Sequence, residues 1–230
     1  TENSISVPNY YNNNSIIEIP VDKNNTPSYN AKNYYKKYNK LKNTLLVITD
    51  QKKETQSELD YLESIIYEID TCQTVQDIDE IYSEISDNYL FEKIRTKSNA
   101  KITKQKNKNK KIDKTYTPIE FKVENFTLLV GKNNIQNDYL TTKLAKSNDI
   151  WFHTKDIHGS HAILITKGET PSIDILIRCA QIAAYYSKAR LSSNVPVDYT
   201  YIKYVKKPSG SKPGFVIYTH NQTINVTPKN

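Results

Sequence analysis

Apolar and polar positions along the chain fall into two regimes, which change near Pro118. In the first, Tyr34, Tyr38, Leu41, Leu45, Ile48, Lys52, Thr55, Leu59, Leu62, Ile66 and Ile69 step by alternating intervals of four and three. All but Lys52 and Thr55 are apolar or aromatic. A stripe with that period predicts a long helix carrying a coiled-coil seam, about 54 Å long at ~1.5 Å rise per residue. Thr26 before Pro27 supplies the start signal, an N-cap followed by proline in the first turn. The seam stops around DTCQT (70–74), where Thr74 and Asp77 have capping-box spacing for a second helix bearing Val75, Ile78, Tyr82, Ile85 and Tyr89. A short link between two amphipathic helices predicts an antiparallel hairpin. Before it, residues 1–25 read as an irregular, Asn-rich lead-in with a short extended piece at Ile16 to Val21.

Beyond Pro118 the apolar runs are short and bounded by turn residues. IEFKV and FTLLV predict a strand hairpin ended by Gly131; NIQNDYLTTKLA predicts a helix with Leu140 and Leu144 on one face. DIWFH and AILIT read as strands. Thr170 with Pro171 repeats the cap-plus-proline start for a helix through Ile173, Ile177, Ala180 and Ala184 to about Lys188. The chain closes with DYTYIKYVKK, FVIYT and TINV, separated by PSGSKPG and HNQ, which predicts an antiparallel meander. The expected class is α+β: a long antiparallel helical hairpin followed by a compact mixed domain with a mainly antiparallel sheet and two helices. We divide the chain into a lead-in (1–25), the coiled-coil hairpin (26–92), a basic linker or helix end (93–117) and the mixed domain (118–230). It has no internal repeat.

Charge sharpens this division. Residues 1–92 carry 8 basic and 16 acidic side chains, residues 93–114 carry 10 and 1, and residues 115–230 carry 14 and 8, within a net charge of +7. Such asymmetry suggests different partners for different parts. The two later blocks suit phosphates, and the first suits a basic protein surface. No apolar run approaches the roughly 18 residues of a membrane span, and no charged-then-apolar leader precedes the first helix. Cys72 and Cys179 are isolated, so neither a disulfide framework nor a zinc ribbon is indicated, and a reducing cytoplasmic setting without a membrane partner is expected. The chain begins at Thr1 and has no Met, so we read it as part of a longer protein.

Two stretches concentrate candidate chemistry. DIWFHTKDIHGSH (149–161) holds the one Trp and three of the four His. Its histidines lack an acidic or sulfur ligand at zinc spacing, and a strand follows Ser160 where a nucleophile elbow needs a helix, so neither a metal site nor a hydrolase is supported. Trp151 on a strand and Asp149 at a turn equally suit a core ring and a cap. His153, Gly159, Ser160 and His161 suit a surface on which bases stack. GKNNIQNDYL (131–140) places a glycine at a strand end before a helix start, an anion site to which Lys132, Asn133, Asn134, Gln136 and Asn137 add donors. It lacks the Gly-Lys-Ser/Thr of a P-loop, and Asn133 or Asn134 also suits a plain helix cap. Lys188, Arg190, Lys206 and Lys207 lend positive potential nearby. No catalytic residue, cofactor or metal is expected.

VGKNNIQNDYL, DIWFHTKDIHGSH, AAYYSKAR, VPVDYT and VKKPSGSKPGFVIYT, in this order over residues 119–227, resemble the NFACT-R domain of the NFACT family. VPNYY, SYNAKNYYKKYNKLK and the hairpin resemble the family's middle region, and the bacterial RqcH group fits best. The resemblance implies a ribosome-associated quality-control factor. It would bind large ribosomal subunits obstructed by a nascent chain, contact tRNA and rRNA, and support C-terminal alanine tailing. The acidic hairpin would meet a basic ribosomal protein. It also implies that the NFACT-N and helix-hairpin-helix parts, which carry much of the tRNA selection, lie before Thr1. His158 stands where the family is expected to have proline, which argues against an essential imidazole there. A rival reading, suggested by the family's older name fibronectin-binding protein A, is a surface adhesin that binds fibronectin.

Overall fold

The computed structural model describes residues 4–86 and 116–230. The expected basic linker, up to residue 115, and Tyr89 therefore lie outside the described residues. The chain forms two compact units, Thr1–Glu58 and Leu59–Asn230.

The first unit departs from the expected irregular lead-in. β1 (Ser4–Asn9) and β2 (Ser15–Pro20) form an antiparallel hairpin, closed by a turn in which Asn13 and Asn14 take positive φ. Asparagine tolerates that region better than most residues, so the Asn-rich run is turn chemistry. Helix α1 (Pro27–Thr71) starts where expected, with the Tyr29 amide donating to Thr26 Oγ1 at 3.2 Å. The Tyr34 hydroxyl donates to the Pro20 carbonyl at 2.6 Å, tying the hairpin to the first turns of α1.

In the second unit the end of α1 packs against α2 (Val75–Ile85), whose Thr74–Asp77 capping box is formed as the spacing predicts. The faces that meet differ from the expected seam. Tyr61, Ile65 and Glu68 of α1 are buried with Ile81 and Glu84 of α2, whereas Leu62, Ile66, Ile69, Val75, Ile78 and Tyr82 are exposed. The earlier seam positions Tyr34, Tyr38, Leu41, Leu45 and Ile48 are exposed as well. The set 61, 65, 68 repeats with the same period as 62, 66, 69, displaced by one residue, or about 100° around the helix. Glu68 and Glu84 hid it from a search for apolar residues.

The remaining elements build an antiparallel six-stranded sheet of order β10-β7-β5-β6-β4-β3. It comprises β3 (Ile119–Val123), β4 (Phe126–Val130), β5 (Ile150–Thr154), β6 (Ala162–Ile165), β7 (Val195–Tyr201) and β10 (Gln222–Val226). Helix α3 (Asn134–Tyr139) continues through a π turn at Leu140–Leu144, and α4 is Ile173–Tyr185. The N-cap of α4 is Ser172, not Thr170; its hydroxyl accepts from the Ile175 amide. Strands β8 (Val205–Lys206) and β9 (Ile217–Tyr218) pair as a separate ribbon within the expected meander. The class is α+β, as the sequence implies.

Both faces of the sheet are covered. Leu128, Val130, Ile150, Phe152, Leu164 and Val197 meet α4, where Cys179, Ala180, Ala183 and Ala184 allow close approach. Each large side chain buried there contributes roughly 1.5–3 kcal/mol. Side chains alternate along a strand, so Trp151 and Ile163 point the other way, onto Leu140, Leu144 and the ribbon residues Val205, Val216 and Tyr218.

Candidate nucleic-acid interface

The loop before α3 was expected to bind an anion, and it does: the anion is the protein's own Glu80. Glu80 Oε2 accepts from Asn133 Nδ2 at 2.7 Å and from Gln136 Nε2 at 2.8 Å. Asn133 Oδ1 caps α3 by accepting from the Gln136 amide, and Gln136 Oε1 accepts from the Lys132 amide. Lys132 Nζ lies 3.3 Å from Asp77 Oδ1. Burial pushes the Asp77 carboxyl up, but the Thr74 hydroxyl, the Gln73 amide and Lys132 outweigh it and hold the group below its ordinary value. Asn134 Nδ2 donates to Ser64 Oγ at 2.8 Å. Asn133, Asn134, Gln136 and Asn137 are all buried. The motif is therefore a joint between the base of the helical hairpin and the sheet domain, and the expected exposed donor loop is absent. A buried amide left without a partner costs about 1–3 kcal/mol, which is why the Asn133, Asn134 and Gln136 side-chain amides are each bonded.

The 149–161 stretch is also turned inward. Trp151 is 1% exposed. It stacks on His153 at 5.6 Å and meets His161 edge-on at 5.3 Å and Tyr218 at 4.7 Å between ring centroids. Burial pushes His153 down to about 4. Burial, and then His153, pushes His161 well below its ordinary value. His161 Nδ1 shares a 2.8 Å hydrogen bond with the Thr141 hydroxyl, and its amide donates to Asn137 Oδ1 at 3.0 Å. Asp149 has the role of a turn cap, Oδ2 accepting from the Lys146 amide and Oδ1 from the Thr166 amide. Gly159 bridges Ser187; a Cβ there would lie 2.8 Å from Ser187 Cβ and 2.9 Å from Thr154 Oγ1. Ser160 is buried, its amide donating to the Tyr186 carbonyl. Ser160 and His161 thus lie in the interior, His153 and Gly159 are half-buried, and the four do not join the first motif in one exposed surface. His158 is different: its Nε2 lies 3.1 Å from Glu63 Oε2 on α1.

The basic candidates divide. Lys188 Nζ sits 3.9 Å from the same Glu63 carboxylate, and Lys207 Nζ 2.7 Å from Asp138 Oδ1. Arg190 is exposed, its guanidinium 3.9 Å from the Tyr185 ring centroid and donating to that ring's hydroxyl. Lys206 is exposed on the β8–β9 ribbon opposite Ile217. The ribbon's inner residues Val205, Val216 and Tyr218 cover Trp151, so alternation turns Lys206, Phe215 and Ile217 outward. Where the ribbon leaves β7, Lys203 lies over the Tyr201 and Tyr204 rings and Tyr204 stacks on His220. The sequence reading passed over these four. For the first three the signal was the aromatic and basic interleaving of YTYIKYVKK, from which the sequence reading drew only Lys206 and Lys207 as candidates.

Among the described residues, no group of three or more His, Cys, Asp or Glu is placed to hold a metal, and no helix is long and apolar enough to cross a membrane.

Comparison with known proteins adds a family. Residues 1–115 match the family model of the NFACT N-terminal and middle domains, and residues 114–219 that of the NFACT protein RNA binding domain. The chain is 44% identical over 223 residues to the Rqc2 homolog RqcH of Bacillus subtilis (strain 168), covering 96% of this chain and 37% of that protein. It is 41% identical over 228 residues to the Rqc2 homolog RqcH of Streptococcus suis (strain 05ZYH33), covering 99% and 39%. A solved structure, the C-terminal of the fibronectin/fibrinogen-binding protein from Streptococcus suis (FBPS), superposes with a TM-score of 0.72 at 39% identity, over 88% of this chain and 77% of that one. The chain spans less than two fifths of the length of the curated relatives it matches.

Proposed function

Because the chain belongs to the NFACT family, we propose that it is the ribosome-engaging, RNA-binding part of a cytoplasmic ribosome-associated quality-control factor. The whole protein would bind obstructed large ribosomal subunits with their tRNA and support C-terminal alanine tailing of the stalled chain. This portion contributes binding and no catalytic group. The observation that carries the reading is the outer face of the β8–β9 ribbon. It carries Lys206 with the exposed Phe215 ring, next to Lys203 and the exposed Tyr201 ring, in a domain whose residues 115–230 hold 14 basic and 8 acidic side chains. Lysines neutralise phosphates and release counterions, while aromatic faces accept bases.

The acidic part of the hairpin needs a different account from a ribosomal-protein contact. Glu63, Asp77 and Glu80 already bind Lys188, Lys132 and the α3 amides. Residues 27–49, by contrast, hold five lysines and no acidic side chain. Any contact of the arm with the ribosome would therefore be basic in that segment.

The test is co-sedimentation of this chain, and of the full-length protein, with large ribosomal subunits over a salt series. Replacing Lys206 and Lys207 by Ala should weaken binding and reduce the salt slope by about one to two counterions, the lower figure reflecting the Lys207–Asp138 pair. An unchanged slope overturns the assignment of this face. Saturable fibronectin binding, measured in parallel without ribosome binding, would favour the adhesin reading instead.

A further inference from the structure

The corner at which β7 passes into the ribbon is more elaborate than phosphate binding requires. A single 3₁₀ turn, Ile202–Tyr204, is fixed by backbone bonds from Ile202 to Asp149 at 2.9 Å, from Lys203 to Ser147 at 3.3 Å, and from Thr219 to Tyr204 at 3.2 Å. Behind it the buried Thr200 hydroxyl donates to the Thr219 carbonyl at 3.0 Å and lies 3.3 Å from that of His220. The backbone therefore places two rings before any ligand arrives. Tyr204 and His220 stack with centroids 4.4 Å apart and planes 26° apart, and His220 holds a positive φ of 54°. Lys203 Nζ sits 5.0 Å from the Tyr204 ring centroid and 5.2 Å from that of Tyr201.

Two further observations separate this corner from ordinary surface. His220 and Tyr201 are exposed and Tyr204 is half-buried, so solvent reaches the stack from the His220 side. Among the described residues Lys203 and Lys206 are in no ion pair, as is true also of Lys143, Lys146, Lys155 and Lys167, but Lys203 is in addition held over two aromatic rings. An ammonium held over aromatic faces stays available to a phosphate, and a rigid open ring accepts a base at little entropic cost.

We propose that this corner is a stacking site for one unpaired nucleotide of RNA, the base lying on the Tyr204–His220 stack and the flanking phosphates meeting Lys203 and Lys206. The inference rests on the RNA reading above and narrows it to unpaired RNA. A base inside a duplex already has both faces stacked and cannot use the site. Base–aromatic stacking tolerates sequence, so no strong base preference is expected.

The test uses the full-length protein and short RNAs carrying 2-aminopurine, whose emission is quenched when it stacks. Wild type should quench the probe in a single strand and bind that strand about tenfold more tightly than a duplex of equal length. His220→Asn keeps a residue that tolerates positive φ and removes the ring; it should lose the quench and about tenfold in single-strand affinity, with the salt slope unchanged. Tyr204→Leu is the second variant. An unshifted Trp151 emission in both, measured on this chain with its single Trp, reports an intact ribbon, because Val205 and Tyr218 pack on that ring. Lys203→Ala with Lys206→Ala should lower the salt slope for every RNA. An absent quench in wild type, or both ring variants binding single strands as wild type does while the lysine variant is weakened, overturns the stacking site and leaves the RNA face standing. No change in the lysine variant removes the RNA face itself. A tRNA without its single-stranded 3′ end and a ribosomal hairpin loop, used as competitors, distinguish the two sources of unpaired nucleotide.

Discussion

Replacing Glu84 by Gln should move the pH of maximum stability upward. Glu84 is 1% exposed between α1 and α2, and its Oε1 accepts from the Tyr61 hydroxyl at 2.7 Å. Burial pushes its carboxyl from 4.5 up to about 7, against the opposing hydrogen bonds from Tyr61 and Asn134. Glu68, buried beside it, is raised well above its ordinary value by burial and by the Glu84 charge. A raised carboxyl means that the folded chain keeps a proton the unfolded chain has released. The stabilisation is thus complete below pH 4.5 and is lost as pH climbs toward about 7, with nothing further to lose above that. At 1.36 kcal/mol per pKa unit, the Glu84 site alone makes the protein about 2–3 kcal/mol less stable at pH 8 than at pH 5.

Gln keeps the Oε1 acceptor for Tyr61 and has no charge to bury. Urea denaturation at pH 5, 6, 7 and 8 measures the effect, followed by the fluorescence of the single Trp, which is buried in the same unit as Glu84. The variant should gain on wild type as pH rises, and adding Glu68→Gln should flatten the alkaline limb. The acid limb should persist in every variant. Burial pushes His153 from 6.5 down to about 4, so stability held at neutral pH falls as protonation is forced between those values. Parallel curves for wild type and Glu84→Gln from pH 5 to 8 would refute the assignment of the alkaline limb to this carboxylate.

Two further outcomes test the joint and the helix face. Glu80→Ala leaves Asn133 Nδ2 and Gln136 Nε2 unbonded at residues each 1% exposed, and should cost about 2–5 kcal/mol in chemical denaturation, with Glu80→Gln costing less because its carbonyl still accepts. Ile65→Ala should cost ~2–5 kcal/mol, and Ile66→Ala, one residue on, no more than ~0.5 kcal/mol, because Ile65 is 4% exposed and Ile66 57%. Equal losses at the two positions would restore the seam read from apolar periodicity.

Local chemistry was legible in the sequence wherever one or two neighbouring residues decide the outcome. Thr26–Pro27 starts α1, the Thr74–Asp77 box starts α2, and alternation in IEFKV and FTLLV makes a hairpin. Apolar periodicity found two helices but chose their exposed faces, because the buried contact is built around carboxylates that such a search scores as solvent-facing. The first candidate motif is turned inward for a related reason. Lys132, Asn133, Asn134 and Gln136 have the composition of an anion loop, and what fills it comes from α2, 53 residues away for the Asn133–Glu80 bond. Nothing local to the motif announces that partner. His158, which stands where proline was expected, binds Glu63 across 95 residues and is equally invisible to a local reading.

Those long-range pairs also explain which cations remain for a ligand. Summed over residues 115–230, the basic excess looks like a uniformly attractive body. In the folded chain, carboxylates of α1, α2 and α3 take Lys132, Lys188 and Lys207. Charges held this way contribute less to attracting a polyanion, since each is partly neutralised by its partner. Lys206 is left on the ribbon's outer face with Phe215 and Ile217, and Lys203 over the Tyr201 and Tyr204 rings, while Lys143, Lys146, Lys155 and Lys167 are likewise in no ion pair among the described residues. Polarity useful to RNA therefore arises in part by subtraction: residues 59–86 are acidic without a single basic side chain, and they neutralise Lys132 and Lys188 on the side of the sheet domain they pack against. If so, Asp77→Asn and Glu63→Gln, far from the ribbon in sequence, should raise nonspecific RNA affinity by freeing Lys132 and Lys188, and the gain should vanish at high salt.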